Sequence, residues 1–428
     1  MQKAPKNKSL SWELLAAASP LAVLAAMAPH VGQSIASAQM AQVAGAACLA
    51  TAGIMAAHNH ISADPVRKLK VAMEYCGLYT QKDSGISLPI LRRKHKRQNG
   101  LMLEYAMPIG LCKKDFDEQQ ERLEQAVNGE VSISARNGLL FIELAFGEIP
   151  QCVKWDMPDV EGDLPITVGM SRSGLITADI ADFPHLLVAG QTGGGKSVFL
   201  HQMLACLVHN PKCRLFVVDL TRVDFAYMQK HAMCGWTIKK AHEILSYLVA
   251  ELDRRLDALT RAGVEKVQNY PGDMPYMVLM VDEFSHLSPM LYKYEGKASK
   301  EMRQECHSML VDLLCRARKV GIHVVLSTQR PDADVLPGQM KANIPATVCF
   351  QVRNRVNSQI CLDNDKASLL PGTPGRAVWQ YGSAEGEVQT MLLTPSQARK
   401  LLPTVPVTNP AVMDFDLLSI SPASSGSW

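Results

Sequence analysis

Aspartate, glutamate, lysine and arginine are missing altogether from residues 14–63 of this 428-residue chain. A stretch that long without a formal charge is hard to keep in water. The eleven cysteines include no Cys-x-x-Cys pair and no Cys/His ligand spacing, and no Gly-x-Ser-x-Gly elbow occurs. These absences leave little room for a zinc site or a serine-hydrolase nucleophile. Thiols scattered in this way read as reduced and buried, in a protein facing the cytoplasm. The net charge is only +3, too small to indicate nucleic-acid binding by itself. A hydrophobic content of 47% suffices for a sizeable core, and the length suggests roughly two to three domains.

Within the uncharged stretch, residues 14–29 and 35–57 are mainly apolar and flank the link His30-Val-Gly-Gln-Ser34. A bilayer-crossing helix needs about 20 apolar residues and at least roughly 17. The second segment is long enough, although Gln39 and Gln42 weaken it; the first is marginal and Pro20 interrupts it. Lys3, Lys6 and Lys8 precede the pair and Arg67, Lys68 and Lys70 follow it. By the positive-inside rule both ends are cytoplasmic, so residues 1–64 are expected to form a helical hairpin in the cytoplasmic membrane. Two soluble alanine-rich helices packed between subunits are the other reading. A cleaved signal peptide fits less well, because apolar sequence continues past any cleavage site. His58 and His60 read as boundary residues of that stretch rather than as ligands.

What the chain does have is a glycine-rich turn. Gly190, Gln191, Thr192, Gly193, Gly194, Gly195, Lys196 and Ser197 fit G-x-x-x-x-G-K-[ST], with an apolar strand from His185 before them and Val198 opening a helix after them. Glycines let successive N–H groups point at phosphate oxygens, and the helix start adds its positive end. Lys196 is placed to reach the β- and γ-phosphates of ATP, and the Ser197 hydroxyl to hold Mg²⁺. Some ninety residues on, the apolar run Tyr276-Met-Val-Leu-Met-Val-Asp-Glu283 ends in two acids. Asp282 is expected to hold the metal through water, and Glu283 to deprotonate the attacking water. Gln329, at the tip of the strand Ile322-His-Val-Val-Leu-Ser-Thr328, is aimed at the γ-phosphate region or caps a turn.

Around these motifs the chain reads as four parts. Residues 1–64 are the hairpin. Residues 65–160 form a small α/β module, with strands over 101–105 and 138–146, an acidic helix near 115–125, and the run Arg92-Arg-Lys-His-Lys-Arg97. That run is either a solvated loop or a contact to the phosphates of DNA or anionic lipid. Residues 161–402 alternate strands and helices as a parallel sheet does, with helices over 197–208 and 239–261 and strands over 214–219, 276–282 and 322–328. Residues 403–428 are rich in Pro and Ser and are expected to be disordered, with a protein-docking motif at 415–420.

The sequence resembles the FtsK/SpoIIIE branch of the FtsK–HerA superfamily over about residues 101–393. The resemblance is carried by Pro184-His-Leu-Leu-Val-Ala-Gly190, Val281-Asp-Glu-Phe284, Ala317-Arg-Lys-Val-Gly-Ile-His323, Thr328-Gln-Arg-Pro-Asp332, Lys341-Ala-Asn-Ile-Pro345 and Phe350-Gln-Val352. It implies an α/β fold, with a RecA-like P-loop ATPase core on a parallel sheet and a smaller α/β domain before it. It also implies a homo-oligomeric ring, usually a hexamer, that pulls double-stranded DNA using ATP and Mg²⁺. In such rings an arginine from a neighbour reaches the nucleotide; Arg318 matches that position, with Arg254 and Arg255 as weaker candidates. A channel-lining loop of the family falls near Lys293, Lys297, Lys300 and Arg303, which would then contact DNA. One departure stands out. The family's glycine-x-glycine-aspartate is here Pro371-Gly-Thr-Pro-Gly-Arg-Ala377. The Pro/Ser-rich residues 403–428 are not expected to hold a counterpart of the winged-helix domain of chromosome-segregating members. The expectation is therefore a membrane-anchored DNA translocase for transfer of a plasmid or other mobile element. A phage genome-packaging ATPase and a secretion ATPase moving proteins are its rivals.

Overall fold

The computed structural model describes residues 64–404 apart from 83–84, 98, 158–160, 289–295, 333–334 and 383. The expected membrane hairpin and the docking motif at 415–420 lie outside the described residues. Among the described residues no helix is long and apolar enough to cross a membrane. The chain separates into two compact units, one formed by residues up to 95 with 101–144, the other by 96–100 with residues from 145 onward. Residues 145–160 thus go with the second unit.

In the first unit, helix α1 (Pro65–Tyr75) starts where Asp64 accepts a bond from the Val66 N–H at 3.1 Å, with Pro65 in the first turn. This is the standard way to satisfy the opening N–H groups of a helix. Strands β1 (Ile90–Arg97) and β2 (Gly100–Ala106) are followed by helices α2 (Lys113–Asp117) and α3 (Gln120–Val127), then by strands β3 (Glu130–Arg136) and β4 (Leu139–Ala145). The four strands form a sheet in the order β1-β2-β4-β3. Leu103 and Tyr105 of β2 and Leu140, Ile142 and Leu144 of β4 are buried at every second position, the period of a half-buried strand. The acidic segment expected as one helix is two, with α2 ending at Asp117. The basic run, for which a solvated loop is one expectation, is strand β1 instead, an edge of the sheet, and every residue of it is exposed.

The second unit is built on ten strands. Strands β5 (Pro165–Met170) and β6 (Leu175–Asp179) precede β7 (His185–Ala189), helix α4 (Lys196–Leu207) and β8 (Cys213–Asp219). Then come β9 (Met233–Gly235), α5 (Ile238–Ala262), β10 (Tyr276–Asp282), α6 (Lys297–Arg316) and β11 (Ile322–Thr328). Strand β12 (Ala346–Phe350), helix α7 (Arg355–Leu362), and strands β13 (Arg376–Tyr381) and β14 (Ala384–Gln389) complete it. The order is β9-β8-β10-β11-β7-β12-β13-β14-β5-β6. Pairing is parallel from β9 to β12 and antiparallel from β12 to β6. The sheet is therefore mixed rather than all parallel: after α7 the chain re-enters as β13 antiparallel to β12, and β14 follows β13 as a hairpin.

Successive side chains along each central strand feed two separate cores. Leu187, Phe216, Leu279 and Val324 face α5 and α6, whereas Leu186, Val188, Val217 and Met280 face Phe199, Met203 and Leu207 of α4. Burial on both faces explains why these strands read as continuous apolar runs. Ten cysteines are described and all are free thiols. Cys213, Cys306, Cys349 and Cys361 are buried as expected, but Cys112, Cys152 and Cys315 are exposed.

Candidate nucleotide site

The phosphate loop leaves the carboxyl end of β7, between its parallel neighbours β11 and β12. Backbone bonds clamp it to both. The Gly190 N–H donates to the Thr328 carbonyl at 3.2 Å and the Gln191 N–H to the Gln351 carbonyl at 2.9 Å. Two of the glycines are required sterically. Gly190 has φ +145° and a Cβ there would lie 2.5 Å from Phe350 Cβ; Gly195 has φ +117° and a Cβ would lie 2.9 Å from the Gly375 nitrogen. The Gly375 N–H donates to the Gly194 carbonyl at 2.8 Å. The segment that departs from the family pattern therefore buttresses the loop from outside. Its Arg376 is buried and donates to Glu387 at 2.7 Å, Gln389 at 3.0 Å and the carbonyls of Ile149 and Pro150 at 3.1 Å.

Lys196 opens α4 and is buried; its ammonium donates to the Gly190 carbonyl at 2.6 Å and the Gln191 carbonyl at 3.3 Å. Burial pushes its pKa down, and the charges of Glu283 and Asp282 oppose the shift. A buried cation whose hydrogen bonds go only to carbonyls, at the start of a 12-residue helix, fits an anionic ligand.

The acids converge from adjacent strands. Asp282 ends β10 and sits in register with Asp219, which ends β8. Asp219 is fully buried, and its carboxylate accepts from the Thr221 N–H at 2.8 Å and the Arg222 N–H at 3.1 Å. Burial raises the Asp282 pKa to about 7, helped by the charges of Asp219, Asp224 and Glu283. A divalent cation is the group that such crowded carboxylates fit. Ser197 and Asp282 are the side chains that could hold magnesium. Among the described residues no three His, Cys, Asp or Glu side chains could hold a metal on their own, in keeping with a site where nucleotide oxygens and water complete the shell.

Glu283 follows Asp282 with φ +51°, a left-handed conformation that costs a residue other than glycine about 1 kcal/mol or more. What the strain achieves is visible in its hydrogen bonds. One carboxylate oxygen accepts from the Gln329 N–H at 2.7 Å; the other accepts from the Thr328 hydroxyl at 3.0 Å and from the Ser285 hydroxyl. The Gln329 side chain in turn accepts from the Thr192 hydroxyl at 2.5 Å. Gln329 thus ties the phosphate loop to the acid. Asp219 carries no motif of its own, and strand register brings it to Asp282 and Thr328 to Glu283, whereas Ser285 comes from the turn that follows Glu283.

The remaining basic candidates separate. Arg318 is exposed, and its guanidinium makes no hydrogen bond or ion pair with a described residue. Arg254 pairs with Glu251 at 2.6 Å. Arg255 is 1% exposed and donates to the carbonyls of Val320 and Pro275, both at 2.8 Å, so it fastens α5 rather than offering itself to a neighbour. Lys293 lies outside the described residues. Lys297 is exposed and 3.7 Å from Glu301; Lys300 is half-buried. Arg303 departs from the expected DNA-facing role, because it is buried and donates to the His286 carbonyl, holding α6 against the turn after β10.

The loop, its lysine and the paired acids at the carboxyl ends of parallel strands define the P-loop ATPase class. More narrowly, residues 152–290 match the FtsK/SpoIIIE family model. The DNA translocase FtsK of Tropheryma whipplei is 32% identical over 254 residues, covering 54% of this chain and 32% of that protein. The DNA translocase FtsK of Pseudomonas aeruginosa is 29% identical over 265 residues, 53% of this chain and 31% of its own length. The chain thus spans about a third of the relatives it matches. Among solved structures, the pCW3 conjugation coupling protein TcpA, in monomer form with ATPγS, superposes with a TM-score of 0.55 at 24% identity. That likeness covers 78% of this chain and 98% of TcpA, and shows the shared fold.

Proposed function

We propose that the chain is an ATP-driven translocase of double-stranded DNA, acting as a homo-oligomeric ring of FtsK type, with six subunits as the expected number. One observation carries this reading: Lys196, after β7, and Asp282 and Glu283, at the end of β10, stand at the carboxyl edge of one parallel sheet with β11 between them, inside a region that matches FtsK/SpoIIIE. In this reading the loop's N–H groups and Lys196 bind the β- and γ-phosphates, and Glu283 accepts the proton of the attacking water. Magnesium, held by Ser197 and Asp282, screens the phosphate charge when bound. Thr328 and Ser285 hold the Glu283 carboxylate in place until nucleotide arrives. Arg318, exposed just before β11, is the residue offered to a neighbour's nucleotide. Lys293, Lys297 and Lys300 are the proposed contacts to the DNA backbone, which need no sequence preference.

The cellular role follows the same lines: transfer of plasmid or other mobile-element DNA at the cytoplasmic membrane. Residues 14–29 and 35–57 would anchor the motor on its cytoplasmic side, and the segment 415–420 would dock a protein partner. Likeness to a conjugation coupling protein is compatible with this role. The test is the ATP hydrolysis rate with duplex DNA, single strands or no DNA at two salt concentrations. Stimulation by the duplex that fades with salt is expected. No response to duplex, with stimulation by a secreted protein, would move the reading to secretion.

A further inference from the structure

Strand β1 is not explained by the nucleotide site. Its sequence Ile-Leu-Arg-Arg-Lys-His-Lys-Arg is exposed at all eight positions, and no acidic residue occurs between Asp83 and Glu104. Its ion-pair partner among the described residues is weak: Arg93 sits 4.0 Å from Glu104 while 71% exposed. It is also an edge strand, with one side of its backbone unpaired. Because successive residues point to opposite faces, Arg92, Lys94 and Lys96 lie on one face and Arg93, His95 and Arg97 on the other.

Charges on an edge can serve only to block pairing with another strand. One or two lysines achieve that, and here five of six consecutive positions are Lys or Arg, with His95 as the sixth. A strand approaching edge-on splays its side chains to both sides, so it can reach phosphates on either border of a DNA groove. A flat headgroup layer would engage one face and leave the other in water. The strand extends about 25 Å, against a duplex that carries one charge per about 1.7 Å of axis. No Phe, Tyr, Trp, Asn or Gln is interleaved from Arg92 to Arg97, which leaves a row of cations suited to phosphates.

We propose that β1 is a second DNA-backbone contact, separate from the FtsK-type motor and indifferent to sequence. It rests on the reading of this chain as a DNA translocase. The test is binding of a fluorescently labelled duplex by the full chain, followed by anisotropy across about 50–200 mM salt. The variant Arg92→Gln/Arg93→Gln/Lys94→Gln removes three cations. The dependence of log K on log salt should then become shallower by about 2.7, so that affinity falls about 40-fold less over that range than it does for the wild type. The companion Arg92→Lys/Arg93→Lys, which keeps all three cations, should keep the wild-type slope, and both variants should unfold at the wild-type temperature. An unchanged slope in the glutamine variant overturns the proposal while leaving the translocase reading intact. So does an unchanged slope accompanied by lost binding to phosphatidylglycerol vesicles, which would assign the strand to lipid. Absence of any duplex binding or duplex-stimulated hydrolysis by the wild type overturns both.

Discussion

Replacing Glu283 by Gln separates the chemistry of this carboxylate from its structural part. In the wild type one oxygen faces a backbone N–H, of Gln329, and the other faces two hydroxyls, of Thr328 and Ser285. An amide therefore has one acceptable orientation: oxygen toward the Gln329 N–H, nitrogen toward the hydroxyls. The Thr328 oxygen already accepts from the Arg330 N–H at 3.0 Å, so its hydroxyl must rotate and share that role. Bonds to a charged acceptor become neutral ones, a loss of about 1 kcal/mol. The corresponding drop in unfolding temperature is about 2–4 °C at most. Turnover should suffer far more, because an amide accepts no proton: loss of a general base costs about 10²–10⁴-fold. Nucleotide affinity should stay within a few-fold, since Lys196 and the loop are untouched. Single-turnover hydrolysis, fluorescent-nucleotide binding and thermal unfolding on the same preparation read all three. A Glu283→Gln variant that hydrolyses at the wild-type rate removes Glu283 as the base. A large drop in unfolding temperature with intact turnover would make the carboxylate purely structural.

Arg318→Ala and Lys196→Ala subunits, each inactive alone, should regain hydrolysis when mixed, because a site with Lys196 intact can then take Arg318 from its neighbour; no recovery in the mixture refutes a role in trans. Gly190→Ala puts a methyl 2.5 Å from Phe350 Cβ at φ +145°, an overpacking and strain cost on the order of 3 kcal/mol; unaltered nucleotide binding would show that the loop can shift instead. Burial lowers the pKa of His185 to about 3 and of His201 and His323 to about 4. These side chains stay neutral in the fold and charge first in the unfolded chain, so their stabilising contribution is complete above pH about 6.5 and is lost as pH falls below it. Asp282, raised to about 7, runs the other way, leaving a net slope of at most about 3 kcal/mol per pH unit. An unfolding temperature that holds steady from pH 7.5 down to roughly 5 would contradict the burial of these rings.

What could be read from the sequence was whatever is local. The run from His185 through Ser197 holds strand, turn and helix start in consecutive residues, and its glycines announce their backbone needs. Strands β10 and β11 were legible as apolar runs because both faces are buried. What depended on register was not. Nothing in the chain places Asp219 opposite Asp282 or Thr328 against Glu283, since each pairing joins segments many residues apart. Arg255 and Arg303 illustrate the opposite error: arginines on helices look solvated, yet backbone carbonyls from distant turns hold both inside. Strand β1 escaped because an edge strand exposed at every position has no buried face to impose a period of two.

Side-by-side ATP hydrolysis by the wild-type chain and Lys196→Ala, each with magnesium and duplex DNA, tests the nucleotide site most directly. Robust turnover by the wild type and none above background for the variant is expected. Equal rates would contradict it, because a P-loop ATPase whose lysine is dispensable does not work through this loop.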